Sequence, residues 1–219
     1  MALDWDVARY ISAGTSDEPL VPAVTCEHWI AAPIYFQNGL VDALPEIWVR
    51  KGVYGRLVTA AKALPPGYRL VLLDGWRPKN IQQFLFDNVR REIALENPSL
   101  PDAEIDRITL LYAARPSDDP VCPSPHITGG AIDVTLSDEN GTILDMGGAF
   151  DEASERSWTT AKVPAAAAER RQHLLTAMRH AGFTNLPSEW WHFDYGNWLW
   201  AWYRKQPSAL FGPILRPSD

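Results

Sequence analysis

The segment Ser124–Leu136, which reads SPHITGGAIDVTL, constrains the fold of this chain more than any other stretch. Its last six residues have the composition of a β-strand, in which successive side chains point to opposite faces of a sheet. Ile132, Val134 and Leu136 then share one face and can enter a hydrophobic core. Asp133 falls on the other face, so the segment predicts a sheet with one packed face and one face that presents a carboxylate.

A histidine precedes this predicted strand, and two glycines separate it from the aspartate. Glycine allows sharp turns and close approach of the backbone, so Gly129 and Gly130 can let His126 fold back over Asp133. Imidazole and carboxylate groups are ligands that zinc takes in proteins. The H-x6-D spacing alone favours the simpler interpretation, in which His126 is a loop residue and Asp133 bonds to a neighbouring loop.

The remaining periodicity predicts an α+β fold. Helical spacing indicates helices at 53–64, 78–97 and 164–181 and a further helix after a possible N-cap at Asp102, and short apolar runs indicate strands at 69–74, 131–136, 142–146 and 190–196. This order predicts a small, mainly antiparallel sheet with flanking helices.

No linker or internal repeat divides the 219 residues, so we expect a single domain spanning residues 1–219. Residues 1–50 are rich in proline and aromatic side chains and are predicted to wrap around that domain. Residues 54–196 carry the motifs, and residues 197–219 form a tail with several tryptophans.

Charge and hydropathy exclude several classes of partner. The net charge is −7 and no basic stripe is present, so nucleic acid is not an expected partner. No segment approaches roughly 18 uninterrupted apolar residues, so no membrane span is expected. The N-terminus MALDWDVARYISAG lacks the basic and apolar regions of a signal peptide, which predicts a cytoplasmic location. The sequence does not indicate an oligomeric state.

A second motif, SEWWHFDYG, places Glu189 three residues before His192. Residues three apart in a strand face opposite ways, so Glu189 has to lie in the turn before the strand if both side chains reach one centre. A carboxylate beside a metal-bound water is placed to act as a general base. The alternative is a core strand whose tryptophans pack and whose polar residues are exposed.

A third motif, LLDGWRP, holds Arg77 between Gly75 and Pro78 at the end of a predicted strand. An arginine fixed in this way can point into a cleft and stabilise an oxyanion. A salt bridge from Arg77 to Asp74 that only shapes the loop is an equally good interpretation.

Together these motifs resemble the vancomycin-resistance-type D-alanyl-D-alanine dipeptidases, which belong to the zinc peptidase superfamily of D,D-carboxypeptidases and the hedgehog signalling domain. The resemblance covers residues 54–196 and rests on four motifs in order: Gly75, Arg77 and Pro78; Ser124, His126 and Asp133; the loop 144–157; and Glu189, Trp191 and His192. The loop LDMGGAFDEASERS is similar to the dipeptidase version of that loop.

The resemblance implies a hedgehog/D,D-peptidase-like fold and one Zn²⁺ per chain, held by His126, Asp133 and His192. It further implies that Glu189 is the catalytic base and acid, that Arg77 stabilises the oxyanion, and that Ser124 and Asp151 receive the ammonium end of a dipeptide. The expected reaction is hydrolysis of D-Ala-D-Ala or a similar small peptide by a metal-bound water.

Three other functions are compatible with the same motifs. The chain can be a D,D-carboxypeptidase or a peptidoglycan endopeptidase acting on longer stems, or it can be a non-catalytic zinc-binding module. Glu189 and Arg77 argue against the binding module. The segment 97–123 and the tryptophan-rich tail are expected to close the pocket, which favours a dipeptide.

Overall fold

A five-stranded sheet forms the centre of the computed structural model, which describes residues 5–215, with the backbone alone at residues 8 and 9. The seven strands are β1 (Leu20–Pro22), β2 (Trp29–Ala31), β3 (Trp48–Arg50), β4 (Arg69–Asp74), β5 (Ala131–Ser137), β6 (Thr184–Asn185) and β7 (His192–Asp194). The central sheet has the order β2-β4-β5-β7-β6, and β1 pairs with β3 in a separate antiparallel ribbon. Only β2 and β4 are parallel, so the predicted α+β fold with a mainly antiparallel sheet is confirmed.

Residues 5–215 form six α-helices: α1 (Ile34–Gln37), α2 (Lys51–Ala63), α3 (Lys79–Glu96), α4 (Asp102–Thr109), α5 (Ala165–His180) and α6 (Trp198–Tyr203). Short 3-10 turns occur at Trp5–Tyr10, His126–Thr128 and Glu155–Ser157. No helix in the described range 5–215 is long and apolar enough to cross a membrane.

One face of the sheet packs against α2 and α5 to form the main core. Leu72 of β4 and Val134 of β5 are fully buried there, together with Leu57 of α2 and Leu174 of α5. Each fully buried aliphatic side chain contributes about 1.5–3 kcal/mol relative to an exposed one. This packing leaves the opposite face of β5, which carries Asp133, available for polar groups.

A β-bulge in β4 decides which side chain lies beside Asp133. Leu72 pairs with Val134, but the next pair is Asp74 with Asp133, so Leu73 is an extra residue on β4. A bulge of this kind shifts the strand by one residue and re-aims the side chains that follow it. Because of it, Asp74 rather than Leu73 neighbours Asp133.

The predicted strand at 142–146 differs most from the structure, where only a single bridge joins Ile143 to Ser137. The Asp138 side chain accepts hydrogen bonds from the backbone N–H groups of Asn140 and Thr142, at 2.9 and 2.8 Å. Aspartate side chains that capture nearby backbone donors compete with sheet pairing. These bonds close a turn after β5, and the pairing that follows is limited to the bridge at Ile143 and the backbone bonds of Thr142 and Leu144 with β5 and its end.

Part of the N-terminal segment 1–50 belongs to the central sheet and to the main core, in addition to the predicted wrapping. β2 is an edge strand of the central sheet, and Trp29 is fully buried in the main core. A strand of three residues is too short to show a hydrophobic period, which is why the sequence gives no signal for it. The predicted limits at residues 1 and 219 lie outside the described residues.

The tryptophan-rich tail braces the loop that carries His126. The indole of Trp198 donates to the carbonyl of Pro123 at 2.8 Å, and the backbone N–H of Ile214 donates to the carbonyl of Ile127 at 2.9 Å. The ring of Trp198 also packs edge-on against Trp5, with centroids 5.8 Å apart. Trp5 thus packs against the tryptophan that braces this loop.

Two glycine-to-alanine substitutions should have opposite effects on stability. Gly129 has a φ of +69°, and a Cβ there would lie 2.4 Å from Cδ2 of the buried Leu20, so Gly129→Ala should destabilise by about 2 kcal/mol or more. Gly55 lies in α2 with nothing within 4 Å of the methyl group that alanine would add, so Gly55→Ala should stabilise by about 0.5–1 kcal/mol. Urea unfolding of both variants checks this, and equal effects would contradict the assigned backbone conformation.

Candidate active site

Three potential metal ligands converge on the open face of the sheet. Asp133 of β5 lies directly opposite His192 of β7, and such cross-strand pairs present their side chains on one face. His126 reaches them from the 3-10 turn that ends at Gly129. All three side chains are buried, and their ligand atoms lie within 4.8 Å of one another.

The outer nitrogen of each imidazole has its own acceptor. His126 Nδ1 lies 2.7 Å from the carbonyl oxygen of Gly75, and His192 Nε2 lies 3.0 Å from Oδ1 of Asp194. Both acceptors require an N–H on the outer nitrogen, so in the neutral rings the inner nitrogens carry lone pairs. Those inner nitrogens, Nε2 of His126 and Nδ1 of His192, face each other at 3.2 Å. Two lone pairs in this position repel each other unless a cation lies between them.

The distances from the two imidazole nitrogens to Asp133, each measured to a different carboxylate oxygen, are close to the ligand spacing around a tetrahedral metal ion. His126 Nε2 lies 3.4 Å from Asp133 Oδ2, and His192 Nδ1 lies 3.1 Å from Asp133 Oδ1. Ligands bound to zinc at about 2.0–2.1 Å in a tetrahedron are about 3.3 Å apart. His126, Asp133 and His192 therefore form a possible metal site with room for a fourth ligand.

Glu189 lies beside this centre, in the turn that precedes β7. Its Oε2 is 3.8 Å from His192 Nδ1, and its side chain is 13% exposed. Burial raises the pKa of Glu189 to about 8, although the charge of His192 acts to lower it. No hydrogen bond to its carboxylate occurs within residues 5–215, so both oxygens remain available to a ligand.

Arg77 is buried, forms the salt bridge with Asp74 that its motif suggested, and lines the cavity. Its Nε donates to Asp74 Oδ2 at 2.8 Å and its Nη1 to Gln82 Oε1 at 2.8 Å, while Nη2 donates to the Tyr35 hydroxyl at 3.2 Å and to Asp133 Oδ2 at 3.1 Å. Burial acts to lower the pKa of Arg77, but the acidic neighbours outweigh it and raise that pKa above its usual range. Arg77 thus forms the salt bridge with Asp74 and also lines the cavity at the site.

Asp151 faces the same cavity from its rim. It accepts a hydrogen bond from the Tyr35 hydroxyl at 2.7 Å, and its backbone has a φ of +59°. The residue as a whole is exposed, yet the protein around its carboxylate raises the pKa of Asp151 to about 7. Its position is compatible with a cationic group bound in the cavity.

Ser124, by contrast, is not among the residues that line the cavity. Its hydroxyl donates to the carbonyl of Arg115 and accepts from the backbone N–H of Ser117, both at 2.8 Å. These bonds hold the loop 115–124 together. The expectation that Ser124 meets a substrate ammonium group has no support from this geometry.

The cavity itself has a volume of about 200 Å³. Its outer wall consists of Trp5, Leu85 and Val89 of α3, and Tyr112 from the segment after α4. The indole of Trp5 donates to the carbonyl of Leu110 at 2.7 Å, which joins the N-terminal turn to that segment. Part of the predicted closing segment 97–123 therefore walls the cavity, while the tail supports the wall through Trp198 and Trp5.

Sequence reasoning missed Tyr35, Gln82 and Asp194 as supporting groups. Asp194 could have been found, because residues two apart in a strand share a face and Asp194 follows His192 by two. Gln82 and Tyr35 lie on helices α3 and α1, and only the three-dimensional structure brings them to Arg77.

The chain matches known proteins over most of its length. Residues 47–208 match the Peptidase M15 family, described as D-ala-D-ala dipeptidase. A D-alanyl-D-alanine dipeptidase of Synechocystis sp. is 34% identical over 181 residues, which are 72% of this chain and 73% of the relative. The proteins of the same name from Escherichia coli K12 and Enterococcus faecalis are 38% and 37% identical, over 58% of this chain in both cases and 55% and 62% of the relatives. The chain thus spans less than two thirds of the length of these last two.

Solved structures give a more distant likeness. A mutant of the vancomycin resistance D,D-pentapeptidase VanY in complex with Zn(II) has a TM-score of 0.46 and 13% identity, covering 94% of this chain and 97% of that one. VanYB in complex with D-Alanine-D-Alanine has a TM-score of 0.44 and 13% identity, covering 90% and 93%. At these TM-scores the likeness supports no inference about the site.

Replacing the metal-facing imidazoles or the carboxylate behind them should weaken metal binding to different degrees. His126→Ala removes a ligand and should abolish stoichiometric zinc binding. Asp194→Ala only frees the outer nitrogen of His192 and should lower zinc affinity about 10–100-fold. Competition with a chromophoric chelator measures both affinities. His180→Ala, an exposed histidine at the end of α5, is the matched control, and equal zinc affinity in all three variants would contradict the site.

Proposed function

The chain belongs to the Peptidase M15 family of D-Ala-D-Ala dipeptidases, and on this basis we propose that it hydrolyses D-alanyl-D-alanine or a similar small dipeptide. The observation that carries the proposal is the convergence of His126, Asp133 and His192 beside Glu189 and Arg77 at one small cavity. Metal chemistry, a proton acceptor and an anion-binding group are the components that peptide hydrolysis needs.

His126, Asp133 and His192 would hold one zinc ion per chain. Two neutral imidazoles and one carboxylate leave the centre with a formal charge of +1. When bound, zinc supplies a Lewis acid and lowers the pKa of a coordinated water towards about 7. Gly75 and Asp194 fix the two rings by accepting from their outer nitrogens, so the inner nitrogens are presented without reorganisation.

Glu189 is the proposed base and acid. Its carboxylate faces the cavity next to His192, and both oxygens are available to a ligand. In this role it takes a proton from the attacking water and delivers that proton to the nitrogen of the leaving amine. A side chain in a positioned acid–base role contributes about 10²–10⁴-fold to the rate.

Arg77 is the proposed oxyanion stabiliser. Asp74, Gln82, Tyr35 and Asp133 engage four of its five N–H groups, and the fifth, on Nη1, is available to a carbonyl oxygen in the cavity. Charge that develops on that oxygen during attack would strengthen this hydrogen bond. Loss of one such donor in an enzyme costs about 10²–10³-fold in rate.

Asp151 is proposed to receive the ammonium end of the dipeptide. Its carboxylate lies at the rim of the cavity and is oriented by the Tyr35 hydroxyl. Ser124 is not included in this proposal, because its hydroxyl is committed to Arg115 and Ser117.

The size of the cavity favours a dipeptide over a longer stem. Its volume of about 200 Å³ lies below the roughly 300–1,000 Å³ of typical ligand pockets. Activity on longer stems, as a D,D-carboxypeptidase or endopeptidase, would need more room than this cavity offers. The single domain and the cytoplasmic location stay predictions, and the first four residues lie outside the described part of the chain.

Replacing the proposed base should separate metal binding from catalysis. Glu189→Ala should retain one zinc per chain and lower kcat for D-Ala-D-Ala about 10²–10⁴-fold, because the ligands are intact and the proton acceptor is missing. Metal analysis and an assay of D-alanine release measure the two properties. Glu139→Ala, an exposed glutamate in the turn after β5, is the control. Full activity in Glu189→Ala would refute the assigned role.

Substrate length provides an independent test. We expect kcat/KM for free D-Ala-D-Ala to exceed that for a stem pentapeptide ending in D-Ala-D-Ala by about 100-fold or more, because the longer peptide meets the wall of the cavity. The measurement is D-alanine release from each peptide under the same conditions. Comparable values would instead identify a D,D-carboxypeptidase, and zinc binding without turnover of either peptide would identify a binding module.

A further inference from the structure

We propose that Gln82 is a positioning residue that aims Arg77 at the substrate and couples it to the segment that walls the cavity. The inference rests on the proposed function, in which an N–H of Arg77 stabilises the oxyanion. Gln82 lies in the first turn of α3 and its exposed fraction is 2%.

The side-chain amide of Gln82 makes two hydrogen bonds in opposite directions. Its Oε1 accepts from Arg77 Nη1 at 2.8 Å, and its Nε2 donates to the carbonyl oxygen of Ala114 at 2.9 Å. Arg77 can only donate and a carbonyl can only accept, so one orientation of the amide satisfies both neighbours. Gln82 is therefore locked between the guanidinium and the backbone.

The bond to Gln82 holds the nitrogen that the proposed mechanism uses. Nη1 carries two hydrogens in the plane of the rigid guanidinium, and one of them donates to Gln82 Oε1. This bond resists rotation about Cζ–Nη1 and helps to hold the guanidinium in place, so the second hydrogen keeps a constant direction. Asp74, Tyr35 and Asp133 hold the remaining nitrogens, so Gln82 is the Nη1 partner among the described residues.

The second bond joins this arginine to the wall of the cavity. Ala114 lies in the segment after α4 and lines the cavity together with Tyr112 and Ala113. The same amide thus sets the position of Ala114 and the direction of the Arg77 donor. Displacement of a catalytic group by about 1 Å can cost on the order of 10²-fold in rate, so a shared support of this kind is kinetically relevant.

Substitution of Gln82 distinguishes positioning from a general structural role. Gln82→Met preserves the length of the side chain but removes both hydrogen bonds, and it should lower kcat about 10-fold or more with KM changed less than about threefold. Gln82→Glu keeps an acceptor for Arg77 Nη1 but loses the donor to Ala114, so its kcat should fall less than that of Gln82→Met. Gln83→Met, at the adjacent exposed position of α3, is the matched control and should leave both constants unchanged.

A double-mutant cycle with Arg77→Ala tests whether the effect passes through the arginine. If it does, Gln82→Met should change kcat less than about threefold in the Arg77→Ala background. An equal loss of kcat on Gln82→Met substitution in the wild-type and Arg77→Ala backgrounds would overturn the proposal. A wild-type kcat in Gln82→Met, or a Gln82→Glu variant as slow as Gln82→Met, would also overturn it. If Gln82→Met does not fold, Gln82→Ala replaces it throughout the cycle, because the smaller residue admits water to both exposed groups.

A measurement without substrate separates this inference from the proposed function. Arginine-selective ¹⁵N labelling should show slow rotation about the Cζ–Nη1 bond of Arg77 in the wild type and in Gln82→Glu, and faster rotation about that bond in Gln82→Met. Nη2, which Tyr35 and Asp133 hold, should rotate slowly in all three proteins. Fast Nη1 rotation in the wild type, or slow Nη1 rotation in Gln82→Met, would overturn the inference whatever the activity. Absence of D-Ala-D-Ala hydrolysis by wild-type protein with slow Arg77 signals would instead count against the proposed function alone.

Discussion

The burial of the Asp133 carboxylate is the constraint on which the site depends. Asp133 is 1% exposed, and a buried carboxylate is stable only when it is paired and hydrogen-bonded. Burial alone would raise its pKa, but His126, His192 and Arg77 converge on it, and the imidazoles hold the pKa of Asp133 well below its usual range. Each of these partners in turn needs its own acceptor. The precision of the site is therefore a property of the whole network of buried polar groups rather than of the three potential ligands alone.

The same network carries more negative than positive charge. One guanidinium and two imidazoles face a larger number of carboxylates: Asp74, Asp133, Asp151, Glu189 and Asp194. Burial raises the pKa of Asp74, Asp151 and Glu189, and neighbouring carboxylates add to the increase. A divalent cation among these groups would relieve their mutual repulsion. The charge balance and the ligand spacing are thus two independent observations that favour a bound divalent cation.

Much of the framework could be predicted from local patterns, and the reasons are physical. β4 coincides with the apolar run 69–74, and α3 agrees with the prediction within a residue at each end, because its helical spacing is regular and Pro78 stands directly before its first residue. The position of Asp133 opposite the core follows from the alternation of side chains along one strand, and the position of Glu189 follows from the turn directly before β7. Both are local properties, so the sequence could predict them.

Other features depend on long-range contacts that no local pattern contains. The bulge at Leu73 brings Asp74 to Asp133. The donor to the Ala114 carbonyl is Gln82, and its position in the sequence is typical of any polar residue of a helix. Ser124 stands next to the site in sequence, yet loop bonds direct its hydroxyl elsewhere. The predicted strand at 142–146 is reduced to a bridge at Ile143 with one backbone bond on each side, after a turn that the Asp138 side chain closes.

The bracing of the His126 loop by the tail has a consequence for the order in which the protein is made. The carbonyl groups of Pro123 and Ile127 receive their donors from Trp198 and Ile214, some 75 to 90 residues later in the chain. A ribosome adds residues from the N-terminus, so those donors do not exist while the sheet strands emerge. The histidine loop can thus reach its final bonding pattern only after Ile214 has been synthesised, so the possible metal site is completed well after the strand that carries Asp133.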